Sequence, residues 1–327
     1  MMICNGRKVI AVLAAVTGSS LAFAQSPPSD FPTKPVSVVA PFTTGASEAE
    51  FRLFLHSILE HTGKRFIIDI KPGAGSTIGT AYVAKAAPDG YTLLIAGPAH
   101  TIAPSLYPDL PYDNIKDFAP ISLLNKRAFF IAFNNSTPYS SIADYVAYAK
   151  ANPGAINVGT SGLGSSTHLA AELLHYLSGI KVTYVHYKAP NQRLVDLLAG
   201  RVHATVVAFG SGFQQVKAGK MRAIAVTSNQ RVPIAQELPT VEEQGVRGYD
   251  YSSWGGVLAP ARTPSAIIDR LNAIFVQSTK DPDLVKKLEG DGSLMIGSTP
   301  QQFRQLLVTE TERWRKVVKE AGIQGAD

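Results

Sequence analysis

Three stretches rich in glycine and hydroxyl side chains carry most of the chemistry this sequence can do. They are Phe42-Thr-Thr-Gly-Ala-Ser47, Gly73 to Thr77, and Gly159-Thr-Ser-Gly-Leu-Gly-Ser-Ser-Thr-His168. Each follows a short apolar run and precedes a helical pattern, so each reads as a strand-to-helix junction. Main-chain N–H groups at such a junction converge on one spot at the helix N-terminus, which suits an anion. A carboxylate fits this chemistry, because charge-assisted hydrogen bonds from amides need no cationic side chain. Gly, Ser and Thr also make ordinary caps and turns, and the second stretch reads equally well as one that shapes the backbone. Two other groups could reach such a site: His100 in Gly97-Pro-Ala-His-Thr101, and Tyr251 and Trp254 as an aromatic wall beside Ser252-Ser253.

Other chemistries lack their residues. No Gly-x-Ser-x-Gly nucleophile turn is present, and no Ser–His–Asp set can be picked by spacing. Gly73, Gly75 and Gly79 have the look of a dinucleotide turn, but the acidic residue expected some 20 positions on is missing. The seven histidines are scattered. His56 and His61 fall on or near a surface helix, and His168 and His175 are seven positions apart on another, so no metal and no cofactor are expected. His168 follows the third junction and could face the same spot. The one cysteine, Cys4, precedes an apolar N-terminal run, which leaves the rest of the chain free of disulfides and thiol nucleophiles. Lysines and arginines are dispersed, so the formal charge of +6 does not point to nucleic acid.

The elements that must position these junctions alternate between strand and helix. Arg7 and Lys8, the apolar run Val9 to Leu21 and the small-x-small Ala22-Phe-Ala24 read as a signal peptide, residues 1–24, cleaved after Ala24. Strands are expected at Val36 to Val39, Phe66 to Ile70, Thr92 to Ile95 and Phe129 to Phe133. A helix that faces the core through Phe51, Phe54, Leu55, Ile58 and Leu59 should stop at Gly63. A second βα block starts near Asn134. It has a helix capped by Ser141, a strand Ile156 to Gly159, and a helix striped by Leu169, Leu173, Leu174 and Leu177. Strand Val182 to Val185, helix Leu194 to Leu198 and strand Val202 to Ala208 follow. Such alternation implies parallel strands with covering helices, an α/β fold of two domains. Thr263-Pro264 and Thr299-Pro300 read as helix starts. The last helix places Phe303, Leu306, Leu307, Trp314, Val317 and Val318 on one face.

As a whole string, Lys71-Pro-Gly-Ala-Gly-Ser-Thr-Ile-Gly79 running on to Ala86-Ala-Pro-Asp-Gly-Tyr-Thr-Leu-Leu-Ile95 resembles a signature of the Bug/TctC family of bacterial extracytoplasmic solute receptors. The resemblance extends from Phe31-Pro-Thr-Lys-Pro35 to Trp314-Arg-Lys-Val-Val-Lys319. It includes Lys116-Asp-Phe-Ala-Pro120, Val185-His-Tyr-Lys188, Arg222-Ala-Ile-Ala-Val-Thr227 and Gly256-Val-Leu-Ala-Pro260. It implies a two-lobed type II periplasmic-binding-protein fold with a ligand cleft between the lobes. Residues 25–125 and 247–327 would form lobe 1, and residues 126–246 lobe 2. The implied function is a periplasmic receptor, monomeric, that takes a small carboxylate-bearing molecule to a tripartite transporter's membrane subunits or to a sensor kinase. The implied contacts are Phe42, Thr43, Thr44, Gly45, Ala46 and Ser47 on lobe 1. On lobe 2 they are Thr160, Ser161, Ser165, Ser166, Thr167 and His168, with Ala208 and Phe209 near the wall. The family's PFPPGGSTD is here Pro41-Phe-Thr-Thr-Gly-Ala-Ser-Glu-Ala49, its YKG is Tyr187-Lys-Ala189, and an expected aspartate is His203. These departures bear on which ligand is bound. The reading from a different class is a periplasmic enzyme acting on a small organic acid on the same scaffold.

Overall fold

The computed structural model describes residues 30–42, 46–187 and 189–323, together with Met2. The expected cleavage site at Ala24 and the junction residues Thr43, Thr44 and Gly45 lie outside the described residues. The chain begins with β1 (Val36–Ala40), α1 (Ala46–Thr62), β2 (Phe66–Ile70), α2 (Thr77–Ala84), β3 (Thr92–Ala96), α3 (Pro98–Leu106) and β4 (Phe118–Arg127). After the single residue Ala128 come β5 (Phe129–Phe133), α4 (Ile142–Ala151), β6 (Asn157–Thr160), α5 (Ser166–Ser178) and β7 (Thr183–His186). Then follow α6 (Pro190–Leu198), β8 (Ala204–Ala208), α7 (Phe209–Lys217) and β9 (Arg222–Val226). The return comprises β10 (Ser253–Pro260), α8 (Ser265–Ser278), α9 (Pro282–Glu289), β11 (Ser293–Met295) and α10 (Pro300–Ala321).

The strands form two sheets, ordered β11-β4-β10-β3-β1-β2 and β7-β6-β8-β5-β9. Both obey one rule. β1, β2 and β3 pair in parallel in one sheet and β6, β7 and β8 in the other; β10 inserts antiparallel between β3 and β4, and β5 between β8 and β9. The sheets are therefore mixed rather than wholly parallel, as the alternation alone implied. β5 follows β4 after one residue and β10 follows β9 after the segment Thr227–Ser252, and both enter in the opposite sense to the strands they join.

Two crossings run side by side. Phe129 N–H donates to Thr227 Oγ1 (2.9 Å), Thr227 N–H donates to Phe129 O (2.9 Å), and Tyr251 N–H donates to Thr227 O (2.7 Å). The fully buried Thr227 thus ties β4–β5 to the return segment. α10 makes a third connection. Its Phe303 and Leu307 lie in a core with Phe118 and Trp254, whereas Trp314, Val317 and Val318 lie in a core with Leu169 and Tyr251.

Local signals mostly hold. Ser141 caps α4, accepting from Asp144 N–H, and Thr299 with Gln302 forms a complete capping box on α10. Three details differ. Leu59 and Leu177 are exposed rather than core-facing, each at the trailing edge of its helix stripe. Pro264, not Thr263, caps α8, because the Thr263 hydroxyl donates back to Pro260 O. β2 is a sheet edge, so only Phe66 of its five residues is fully buried. No helix among the described residues is long and apolar enough to cross a membrane.

Candidate functional site

The carboxyl ends of the parallel strands in both lobes open onto one cavity of about 490 Å³. Four helices begin at its wall. Ser47 is in the first turn of α1, Ser76 precedes α2, Gly97 precedes α3, and Ser165 precedes α5. Each helix start carries unpaired N–H groups and a partial positive charge. The geometry therefore gathers anion-binding capacity from both lobes, and among the described lining residues there is no free cation.

The third junction shows how its side chains divide the work. Thr167 Oγ1 accepts from Ser161 N–H (2.8 Å), Thr160 Oγ1 from Gly162 N–H (3.4 Å), and His168 Nδ1 from Gly164 N–H (3.2 Å). These three side chains fold the loop, while Ser161, Ser165 and Ser166 line the cavity. Ser165 caps α5 by accepting from His168 N–H, which leaves the first two N–H groups of the helix, on Ser166 and Thr167, without intrahelical acceptors. The Ser166 hydroxyl also reaches Ser253 Oγ at 3.4 Å, joining the lobes across the cavity.

At the first junction, Phe42 and Ser47 line the cavity, and Ala46 opens α1, its side chain lying outside the described set. Thr160, Thr167, His168, Ala208 and Phe209 do not line it. Phe209 is buried against Phe130 and Phe213, with Ala208 packed against a neighbouring core. His168 is buried with its ring against Tyr184 and His186, at a separate cavity of about 630 Å³. Burial and the neighbouring His186 push its pKa down to about 4, so it is neutral. His203, where the resemblance implied an aspartate, accepts from Asn157 N–H and so braces β6 against β8.

His100 and Trp254 do reach the cavity wall. His100 Nε2 donates to Asn114 O (2.8 Å), which fixes the tautomer and leaves Nδ1 an acceptor without a protein partner. Burial holds its pKa down at about 4. The second junction contributes Ser76 directly and positions the first. Ser76 is left-handed (φ 81°), and Gly79 lets the α2 backbone close on β1, where an added Cβ would lie 2.6 Å from Lys71 O and 2.9 Å from Pro41 Cα.

Sequence reasoning missed one cluster altogether. Glu50 on α1 accepts from Asn125 Nδ2 through one carboxylate oxygen and from Arg127 Nη2 through the other, and all three residues line the cavity. Arg127 Nε also donates to Ser293 Oγ at 3.3 Å. Burial pushes the guanidinium below its usual range while Asp291 opposes the shift, and it stays a cation at any physiological pH. Among the described lining residues, Glu50 and Arg127 are the only charged side chains. The available signal was faint: polar Asn125 and Arg127 end an otherwise buried strand, and Glu50 follows an anion-type junction. No group of three or more His, Cys, Asp or Glu among the described residues is placed to hold a metal ion.

A cleft between two α/β lobes, lined by helix N-termini from both, is the construction of a solute-binding protein. The chain belongs to the family described as "Tripartite tricarboxylate transporter family receptor", whose sequence profile matches residues 51–323. It is 33% identical over 316 residues to the UPF0065 protein of the tcbD-tcbE intergenic region of Pseudomonas sp. (strain P51), covering 96% of this chain and 94% of that one. It is 29% identical to protein BugT of Bordetella pertussis, covering 97% and 98%. Among solved structures, R. palustris Rpa4515 with adipate superposes with a TM-score of 0.78 at 35% identity, over 91% of this chain and 100% of that one. MatC from Rhodopseudomonas palustris with bound malate gives 0.74 at 29%, over 88% and 100%. The two-lobed periplasmic-binding-protein fold implied by the sequence is thus shared with solved relatives. The family is one of extracytoplasmic receptors rather than enzymes.

Proposed function

We propose that this protein is an exported receptor that closes its two lobes on a small organic acid and presents it, unaltered, to a membrane partner. The single observation that carries this reading is the convergence of four helix starts, from both lobes, on one cavity in which the two charged side chains among the described lining residues neutralise each other. A carboxylate there is matched by main-chain N–H groups and helix dipoles. Relatives solved with adipate and with malate support the same ligand class. The Phe42–Ser47 junction, with Thr43, Thr44 and Gly45, binds from lobe 1, and Ser161, Ser165 and Ser166 bind from lobe 2. Thr160, Thr167 and His168 act on the ligand indirectly, by shaping the loop that bears those serines.

Ligand shifts an open–closed equilibrium about the paired crossings at Phe129 and Thr227, and the closed form is what the partner reads. Family membership supports the membrane subunits of a tripartite transporter as that partner, with a sensor kinase as the variant of the same scheme. The lobes divide at residues 25–125, 126–246 and 247–327, the protein acts as a monomer, and the signal is cleaved after Ala24. The test is equilibrium dialysis against labelled organic acids, with mass analysis of what is recovered. One equivalent of unchanged acid per protein is expected. Steady conversion of the acid, abolished by cleft substitutions, would instead establish an enzyme.

A further inference from the structure

We infer that Glu50 is a specificity-determining residue: by occupying Arg127, it obliges the ligand to present an uncharged end to that corner of the cavity. The inference rests on the carboxylate-receptor reading and narrows it. A buried arginine at the wall of an acid-binding cavity would by itself be a fork for a ligand carboxylate. Here two of its three nitrogens are already engaged from within the chain, Nη2 by Glu50 and Nε by Ser293. Glu50 takes Arg127 Nη2 on one oxygen and Asn125 Nδ2 on the other, so both carboxylate oxygens are satisfied. Glu50 and Asn125 are both buried, and Arg127 is sequestered further by Ser293. The pair contributes no net charge, and no other charged side chain among the described lining residues can compensate a carboxylate placed beside it.

A ligand carboxylate brought to this corner would meet Glu50 as a like charge in a poorly solvated site, which disfavours it. The surroundings suit something else. Phe51, Ile95 and Trp254 supply apolar wall around the cluster. The negative charge of the ligand is then read only at the helix starts, by main-chain N–H groups. The class of ligand is an organic acid with an apolar, hydroxylated or amide-bearing tail, and the part of the acid that carries charge lies away from Glu50 and Arg127.

The test compares matched acids of four to eight carbons that differ only in the far end: methyl, hydroxyl, amide or carboxylate. Titration calorimetry on the mature wild-type protein should give the uncharged-tailed acids at least tenfold tighter binding than the dicarboxylate of equal length. Glu50→Gln frees Arg127, and the dicarboxylate should then gain at least tenfold relative to its uncharged partners. Arg127→Gln leaves Glu50 unneutralised and should weaken every member of the series. A wild type that prefers the dicarboxylate overturns the inference. So does a Glu50→Gln variant that changes both kinds of ligand by the same factor. Should that variant fail to fold, the wild-type ranking and Arg127→Gln decide the matter alone. If no acid of any length binds the wild type, it is the carboxylate reading itself that fails.

Discussion

Acidification from pH 7 to pH 5 should destabilise the protein through three buried imidazoles. His100 and His168 are held down to about 4, chiefly by burial, and His175 is held at about 3 by burial and by the neighbouring His168. His175 sits within a closed chain of hydrogen bonds, its Nε2 2.8 Å from Tyr145 OH and its Nδ1 2.6 Å from Tyr184 OH. The folded protein keeps these rings neutral, whereas the unfolded chain would protonate each near its ordinary value of 6.5. Unfolding therefore takes up protons below that value, and stability is lost as the pH falls from about 6.5 toward about 4. Each ring contributes about 2 kcal/mol less at pH 5 than at pH 7. Glu172 works the other way, since burial raises its pKa, although a hydrogen bond from Tyr184 lowers it. Asp196 and Asp281, lowered by hydrogen bonds from Tyr187 and Ser57, act only further into the acid range. The three rings together amount to a loss of about 6 kcal/mol, which the raised pKa of Glu172 reduces. Urea unfolding at pH 7, 6 and 5, followed by circular dichroism, measures it. His175→Gln, which cannot take up the proton, should lose about 2 kcal/mol less than wild type over the same interval. A urea midpoint equal or higher at pH 5 than at pH 7 would refute the reasoning.

Three further outcomes follow from the packing. Thr227→Val leaves Phe129 N–H without its acceptor at the crossing, so stability should fall by about 1–3 kcal/mol in urea titration; an unchanged midpoint would remove Thr227 from the hinge. Trp314→Ala opens a cavity where α10 meets Tyr251, whose ring lies 6.0 Å away, and should cost about 3–5 kcal/mol; a loss under 1 kcal/mol would show that α10 does not anchor the second lobe. Gly79→Ala forces α2 away from Pro41, so about 1–3 kcal/mol should be lost together with ligand affinity measured by calorimetry. Unaltered affinity in a folded Gly79→Ala variant would detach the second junction from the site.

Much of the scaffold was legible because its signals are local. Short apolar runs, helical apolar stripes, Ser141 and Thr299 mark their elements within a few residues. The antiparallel insertion of β5 and β10 was not legible, since pairing of Gly256 with Ala96 and of Phe130 with Val207 joins segments far apart in sequence. The site divides in the same way. Helix starts such as Ser47, Ser165 and Ser166 are visible as caps and turns. Which way His168 turns depends on the packing of β7, whose Tyr184 and His186 take its ring. Glu50, Asn125 and Arg127 meet only after α1 packs on the sheet, so no spacing rule could bring them together. The stretch Gly73 to Gly79 reads equally as an anion site or as a turn that shapes the backbone; Gly79 lets two backbone segments touch, while Gly73 and Gly75 take positive φ.

The central claim is best tested by thermal unfolding of the mature protein against organic acids, each paired with its own primary amide at the carboxyl group. The account predicts a stabilising shift with an acid and none with its amide. Saturation at 100 times the dissociation constant should add about 2.7 kcal/mol, or several degrees. Equal stabilisation by acid and amide, or none by any acid on ligand-free protein, would contradict it.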